Sequence, residues 1–271
     1  MKERIKDIFE TCKQEKRAAL IVFQSCGFPD LSASEAMIES AIISGADIIE
    51  LGVPFSDPMA DGVVIQKASQ IALQKGVCFQ DILDMAERIR KNHPKTGLIL
   101  FSYFNVLLNY GLKKLTAKLA DIGIDGILAV DVPYEEKEEL DIFCKEQHLH
   151  LIPLVSPATP LERAATIVSR ASGFIYCVAV CGVTGARSSL PPELKEWVEK
   201  LKSITELPLA VGFGVSSGEM AHQISDFADA VVVGSAALKP FFDSVPFEVC
   251  LRKSSDLICE LRKGVNQKKT V

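Results

Sequence analysis

The chain has 271 residues, 48% of them hydrophobic and 24% charged, with a formal net charge of −5. That apolar content supports a sizeable core and excludes global disorder. The negative balance argues against a general polyanion binder, which needs clustered cations; a small phosphorylated ligand stays open, because backbone N–H groups can hold it.

The opening residues, MKERIKDIFETCKQEKR, are charged and helix-patterned, unlike a signal peptide. Eight apolar, β-rich runs follow: AALIVFQ (18–24), ADIIELG (46–52), GLILFSYF (97–104), DGILAVD (125–131), LHLIPLV (149–155), GFIYCVAV (173–180), PLAVGF (208–213) and ADAVVVG (228–234). Their apolarity is continuous rather than alternating, as in parallel strands buried on both faces. Between them lie amphipathic segments with helix spacing, at 31–45, 79–92, 135–147, 160–170 and 192–204. Ser32 or Ser34 is expected to cap the first of these, Gly45 to end it, and Pro191 and Pro192 to open the last.

No low-complexity linker divides the chain, so the expectation is a single (β/α)8 barrel domain over residues 1–271, with an N-terminal helix. The competing open, doubly wound sheet would show a Gly-rich dinucleotide fingerprint after its first strand, where this chain has QSCGFP. Two connections are long: one from Gly52 to about Gly76, after the second run, and one from Cys181 to Pro192, after the sixth. In a barrel both lie on the C-terminal face, where active sites are built and long loops serve as lids. No run reaches the roughly 18 residues of a membrane span. The eight cysteines form no CxxC pair. The expectation is a cytoplasmic protein in a reducing compartment.

The clearest chemical pattern is a set of Gly-containing turns after the last three runs: CGVTGA (181–186), VGFGVS (211–216) and VGSAAL (233–238). Barrels build phosphate sites from such turns together with a short extra helix. Ser235 is expected to cap that helix. Glu50 ends the second run. Facing the barrel interior, it would be desolvated and its pKa would rise, which suits a general acid–base. A structural ion pair is the competing reading, but the eight runs contain no Lys or Arg. Asp61, in PMADG, is balanced between catalysis and turn chemistry, and Asp57, in SDP, reads as turn chemistry.

A Schiff-base mechanism needs a lysine in the barrel, and no run supplies one. A metal mechanism needs several ligands at strand ends, whereas His93, His148, His150 and His222 are placed at or beyond helix ends. What remains is a phosphate-anchored substrate worked on by carboxylates.

ELGVPFSDPMADG (50–62), followed by IQ (65–66), resembles the signature of the tryptophan synthase alpha subunit family, ELG(I/V)PFSDPxADGPxIQ. DVP (131–133), GVTGA (182–186), GFGVSS (212–217) and VGSA (233–236) fall in that family's order. The resemblance covers nearly the whole chain. It implies a (β/α)8 lyase, free of metal and cofactor, that cleaves indole-3-glycerol phosphate to indole and glyceraldehyde 3-phosphate. It also implies a partner, a pyridoxal-phosphate beta subunit, in a heterotetramer of two alpha and two beta chains.

By the same resemblance Glu50 is the acid–base and Asp61 the carboxylate that holds the indole N–H. Phe23, Tyr103 and Tyr176 contact the ring or line its pocket, Gly185, Gly214, Gly234 and Ser235 bind phosphate, and Thr184 is the lid threonine that engages the aspartate. Pro54, Asp57, Asn105 and the turn from Asp131 to Pro133 face the beta subunit.

The sequence departs from the family pattern around these loops. PF(V/I)TxGDP reads VFQSCGFP (22–29), so Ser25 replaces a Thr and Phe28 an acid; Val63 replaces the Pro of ADGP, and Val180 an Arg. A second reading follows: a weak lyase kept mainly to activate the beta subunit. A third, from the phosphate turns alone, is an unrelated sugar-phosphate isomerase barrel.

Overall fold

The structure, a computed structural model, describes residues 3–178, 190, 192–212 and 214–266. Its strands are β1 (Ala19–Ser25), β2 (Ile48–Gly52), β3 (Gly97–Ser102), β4 (Gly126–Ala129), β5 (His150–Leu151), β6 (Leu154–Val155), β7 (Ile175–Val178), β8 (Leu209–Gly212) and β9 (Ala230–Val233). Every pairing is parallel, in the order β5-β4-β3-β2-β1-β9-β8-β7-β6.

β5 and β6 are two pieces of one barrel strand, which appears as the single run 149–155 in the sequence. The Ile152 N–H donates to Ile127 O of β4 at 2.8 Å, and Pro153 O accepts from Tyr176 N of β7 at 2.9 Å. Proline has no N–H to continue the ladder, so the strand breaks there and passes from one neighbour to the other. That hand-over closes the sheet into a (β/α)8 barrel.

The helices are α1 (Arg4–Gln14), α2 (Leu31–Ile43), α3 (Val63–Gln74), α4 (Phe79–Asn92), α5 (Phe104–Tyr110), α6 (Leu112–Ile122), α7 (Glu138–Glu146), α8 (Leu161–Val168), α9 (Pro192–Lys202), α10 (Gly218–Ser225), α11 (Ser235–Leu238) and α12 (Phe247–Val265). α1 presents Ile5, Phe9 and Cys12 on one face, and they pack with Ile21, Ile48, Ile99, Ile152, Phe174 and Val232 inside the barrel. The N-terminal helix therefore plugs the bottom of the barrel. The opposite strand faces, including Leu20, Val22, Ile49, Leu51, Leu98 and Leu100, pack against the surrounding helices. This double burial explains the continuous apolar runs.

Three aspartates stitch the bottom rim. Asp47, Asp125 and Asp229 stand just before β2, β4 and β9. Each N–H donates to the carbonyl of a leucine on the neighbouring strand, Leu20, Leu98 or Leu209, at 2.9 Å. Each carboxylate accepts the N–H of that same leucine, at 2.8, 2.8 and 3.0 Å. Arginines cover two of them: Arg17 and Arg262 reach Asp47, and Arg4 and Arg90 reach Asp125.

Some local expectations are revised. Asp30, not Ser32 or Ser34, caps α2 through a 2.9 Å bond from Ala33 N, while Ser34 Oγ accepts from Gly27 N. The long connection after the second run is a ten-residue loop, 53–62, followed by α3. The connection after the sixth run falls largely outside the described residues. His150 lies on a strand and His222 inside α10, so these two are not beyond helix ends. Among the described residues no helix is long and apolar enough to cross a membrane.

Candidate active site

The β1–β2 register sets Phe23 beside Glu50, and the β2–β3 register sets Glu50 beside Ile99. Parallel neighbours point to the same side of a sheet, and Ile48, two residues before Glu50, lies in the interior cluster. Glu50 therefore projects into the barrel. It is wholly buried, and among the described residues neither carboxylate oxygen has a hydrogen-bond partner. Burial pushes its pKa up to about 8. A fully buried carboxyl with no cation and no donor keeps its proton at neutral pH.

Asp61 is placed by a tight loop. Met59 N donates to Asp57 O at 2.9 Å and Asp61 N to Pro58 O at 3.1 Å. Gln66 of α3 holds the Asp61 carbonyl at 2.9 Å. Tyr103 completes the clamp: its hydroxyl accepts from Ala60 N at 3.0 Å and donates to Asp61 Oδ2 at 3.1 Å. The ring stacks on Phe55 of the same loop, with centroids 4.8 Å apart. Burial pushes the Asp61 pKa up to about 6, and the Tyr103 hydroxyl pulls the other way. Tyr103 is thus a loop clamp as well as a ring-contact candidate, a role its spacing does not disclose. The aromatic before α5 and the Gln of the IQ pair are the only sequence signals for it.

Tyr176 faces inward from β7, in register with Leu154 and Ala210. Its hydroxyl fills the space above Gly212, where an added Cβ would lie 2.7 Å from it. Burial, and after it the charges of Glu50 and Asp61, hold the phenol well above its ordinary pKa, so both carboxyls lie near enough to act on it. Phe23 packs edge-on against Phe101 at 5.0 Å, and its ring takes the place a side chain at Gly52 would need.

At the far side, Gly214 has φ +65°, which a side chain rarely tolerates. Gly234 precedes α11 beside Phe23, whose Cβ would be 3.6 Å from an added methyl. Ser235 is the first residue of that four-residue helix and makes no capping bond, so the cap position belongs to Gly234. Thr184, Gly185 and Val180 lie outside the described residues.

Of the other departures, Phe28 is buried and stacks on Phe242 with centroids 4.8 Å apart. It sits in an apolar cluster with Phe23, Met37, Ile65 and Leu238, flanked by Phe241 and Phe247. An acid there would be desolvated without a partner. Phe28 therefore fits its surroundings and ties the loop after β1 to α3 and α11. Val63 opens α3 and is exposed. Proline pre-sets the backbone at that position and valine does not. Asp57, Asp131 and Pro133 are exposed on loops around the barrel mouth and Asn105 is exposed in the first turn of α5, but Pro54 is buried. A surface contact through Pro54 is not available in this conformation, because the chain packs it inward as it leaves β2. Asp131 also accepts the first N–H of α5, from Phe104, at 2.7 Å. Among the described residues, no group of three or more His, Cys, Asp or Glu is arranged to hold a metal.

The tryptophan synthase alpha chain family model matches residues 9–252. The tryptophan synthase alpha chain of Zymomonas mobilis is 44% identical over 233 residues, 86% of this chain and 85% of that one. That of Aquifex aeolicus is 38% identical over 265 residues, 97% and 99% of the two chains. A solved tryptophan synthase structure from Mycobacterium tuberculosis superposes with a TM-score of 0.89 at 36% identity, covering 97% of this chain and 98% of that one. The Legionella pneumophila alpha subunit gives 0.89 at 34% identity, with the same coverage. The chain belongs to the tryptophan synthase alpha chain family.

Proposed function

We propose that Glu50 and Asp61 carry out the lyase reaction of this family in this chain, cleaving indole-3-glycerol phosphate to indole and glyceraldehyde 3-phosphate. The observation that carries the reading is Glu50: wholly buried, without a partner, and poised near neutrality. At pH 7 most of it is protonated, while most of Asp61 is ionised. Glu50 donates its proton to the indole ring carbon that bears the side chain. Asp61 accepts the ring N–H and stabilises the resulting indolenine cation. Glu50, now a carboxylate, takes the proton from the hydroxyl on the attached carbon. The C–C bond breaks, its electrons return to the ring, and the side chain leaves as an aldehyde. The cationic ring is the electron sink, so the carboxylates suffice.

Phe23, Tyr103 and Tyr176 line the ring pocket in this reading. Gly214, Gly234 and Ser235, with Thr184 and Gly185, hold the phosphate and close over it. Asp57, Asn105, Asp131 and Pro133 face a pyridoxal-phosphate beta subunit in a heterotetramer of two alpha and two beta chains. Met59, 88% exposed on the loop after β2, and Leu108, 42% exposed on α5, add apolar area at the same end. Exposed Val63, in place of the family's proline, favours a second reading in which Asp61 is loosely held and the chain mainly activates its partner.

One experiment separates the two. Glyceraldehyde 3-phosphate release is measured with and without the beta subunit, for wild type and Glu50→Gln. Cleavage that vanishes in the variant supports the lyase. No wild-type cleavage, with indole-to-tryptophan conversion still stimulated, leaves only the activator.

A further inference from the structure

Ser25 is 1% exposed, and its hydroxyl has no hydrogen-bond partner among the described residues. A buried hydroxyl without a partner is costly and uncommon, so each case asks for a ligand or a role. Alternation along β1 settles where it points. Ala19 and Ile21 lie in the interior cluster and Phe23 lines the mouth, whereas Leu20 and Val22 pack outward against the helices. Ser25 therefore shares the inner face with Phe23, beside Gly52 and one inward position above the level of Glu50. Gln24, also buried and unpartnered, points the other way and does not reach the mouth.

The strand order then matters. β1 lies between β9 and β2. β9 leads into Gly234 and Ser235, and β2 carries Glu50. The three-carbon chain of the substrate has a phosphate at one end, a hydroxyl on the reacting carbon at the other, and a hydroxyl on the carbon between. With the phosphate after β9 and the reacting hydroxyl at Glu50, the middle hydroxyl falls over the end of β1. Among the described residues, the inward-facing polar side chain at that end of β1 is Ser25. A serine hydroxyl both donates and accepts, which matches an alcohol.

We propose, building on the lyase reading, that Ser25 binds the middle hydroxyl of the substrate side chain and so orients the reacting carbon toward Glu50. The test compares two substrates, indole-3-glycerol phosphate and its analogue with hydrogen in place of the middle hydroxyl. Indole release is measured in the complex with the beta subunit, without serine. Ser25→Ala is expected to lower kcat/KM on the full substrate by about tenfold and on the analogue by no more than about twofold. Ser25→Thr, which keeps a hydroxyl, is expected to retain the wild-type preference for the full substrate. Equal losses on both substrates, or no loss on the full one, overturn the proposal while leaving the lyase standing. A wild-type complex that cleaves neither substrate overturns both.

Discussion

Asp125 and Glu50 are buried acids on the same sheet, Asp125 at the entrance to β4 and Glu50 near the exit of β2. Asp125 accepts the Leu98 N–H at 2.8 Å and pairs with Arg4 and Arg90, the latter at 2.9 Å. Arg90 in turn donates to three carbonyls, those of Gly123, His93 and Thr96. Glu50 has none of this. The lower rim thus satisfies its carboxylates with cations and backbone N–H groups, and the mouth leaves Glu50 bare among the described residues. Identical chemistry serves two ends: paired, a carboxylate joins strands; unpaired, it is held near neutrality and can exchange a proton. The mouth is the destabilised part of the molecule, and the satisfied rim beneath tolerates it.

The contrast can be broken at either end. The largest effect is expected from Glu50→Gln, which removes the exchangeable proton. Indole-3-glycerol phosphate cleavage should fall about a thousandfold or more, within the range for general acid–base groups. At the lower rim, Asp125→Ala strands two buried guanidinium groups and should cost about 3–5 kcal/mol, read as a shift in denaturant midpoint. An effect below about 1 kcal/mol there would mean the rim network is not what supports the barrel.

Burial raises the Asp125 pKa as well, and the wholly unpaired Glu50 should leave its own mark on the pH dependence of stability. The folded pKa of Glu50 is raised, so the folded state holds a proton that the unfolded state has released. Its contribution to stability is present below about pH 4.5 and is lost as pH rises through about 8. Glu50→Gln should therefore stabilise the protein by about 4 kcal/mol at pH 8 and by less than about 1 kcal/mol at pH 5. An unchanged difference between wild type and variant across that range would refute a raised Glu50 pKa. The smallest effect is expected from Tyr103→Phe, which frees Asp61 and the Ala60 N–H. It should lower kcat/KM about tenfold and move the acidic limb of the pH–rate profile upward, because the lost hydroxyl favoured the ionised aspartate.

The strand runs, the N-terminal helix with five of the others, and the inward Glu50 were legible because each rests on local pattern: double-sided apolarity, helix spacing, and an acid in a run with no cation; α3, inside the connection read as a loop, was not. The split at Pro153 was written in the sequence, but only the hand-over from β4 to β7 gives it meaning. Asp61 stood balanced between turn and catalysis because a loop aspartate looks alike in both settings. What the chain order hides is Tyr103, forty-two residues away, whose hydroxyl reaches it. Phe28 read as a departure until Phe242, more than two hundred residues later, supplied its stacking partner. Pro54 read as a surface contact and is buried.

The sequence by itself determined the period and order of the elements and the residue types at the strand ends, since these follow from short-range rules of burial, turns and capping. Only the tertiary structure decided which carboxylates are paired. Asp47, Asp125 and Asp229, at the starts of their runs, stand like Glu50 in runs without a cation. A pairing partner is chosen by the closure of the barrel, and desolvation is a property of everything that surrounds a group rather than of its neighbours in sequence.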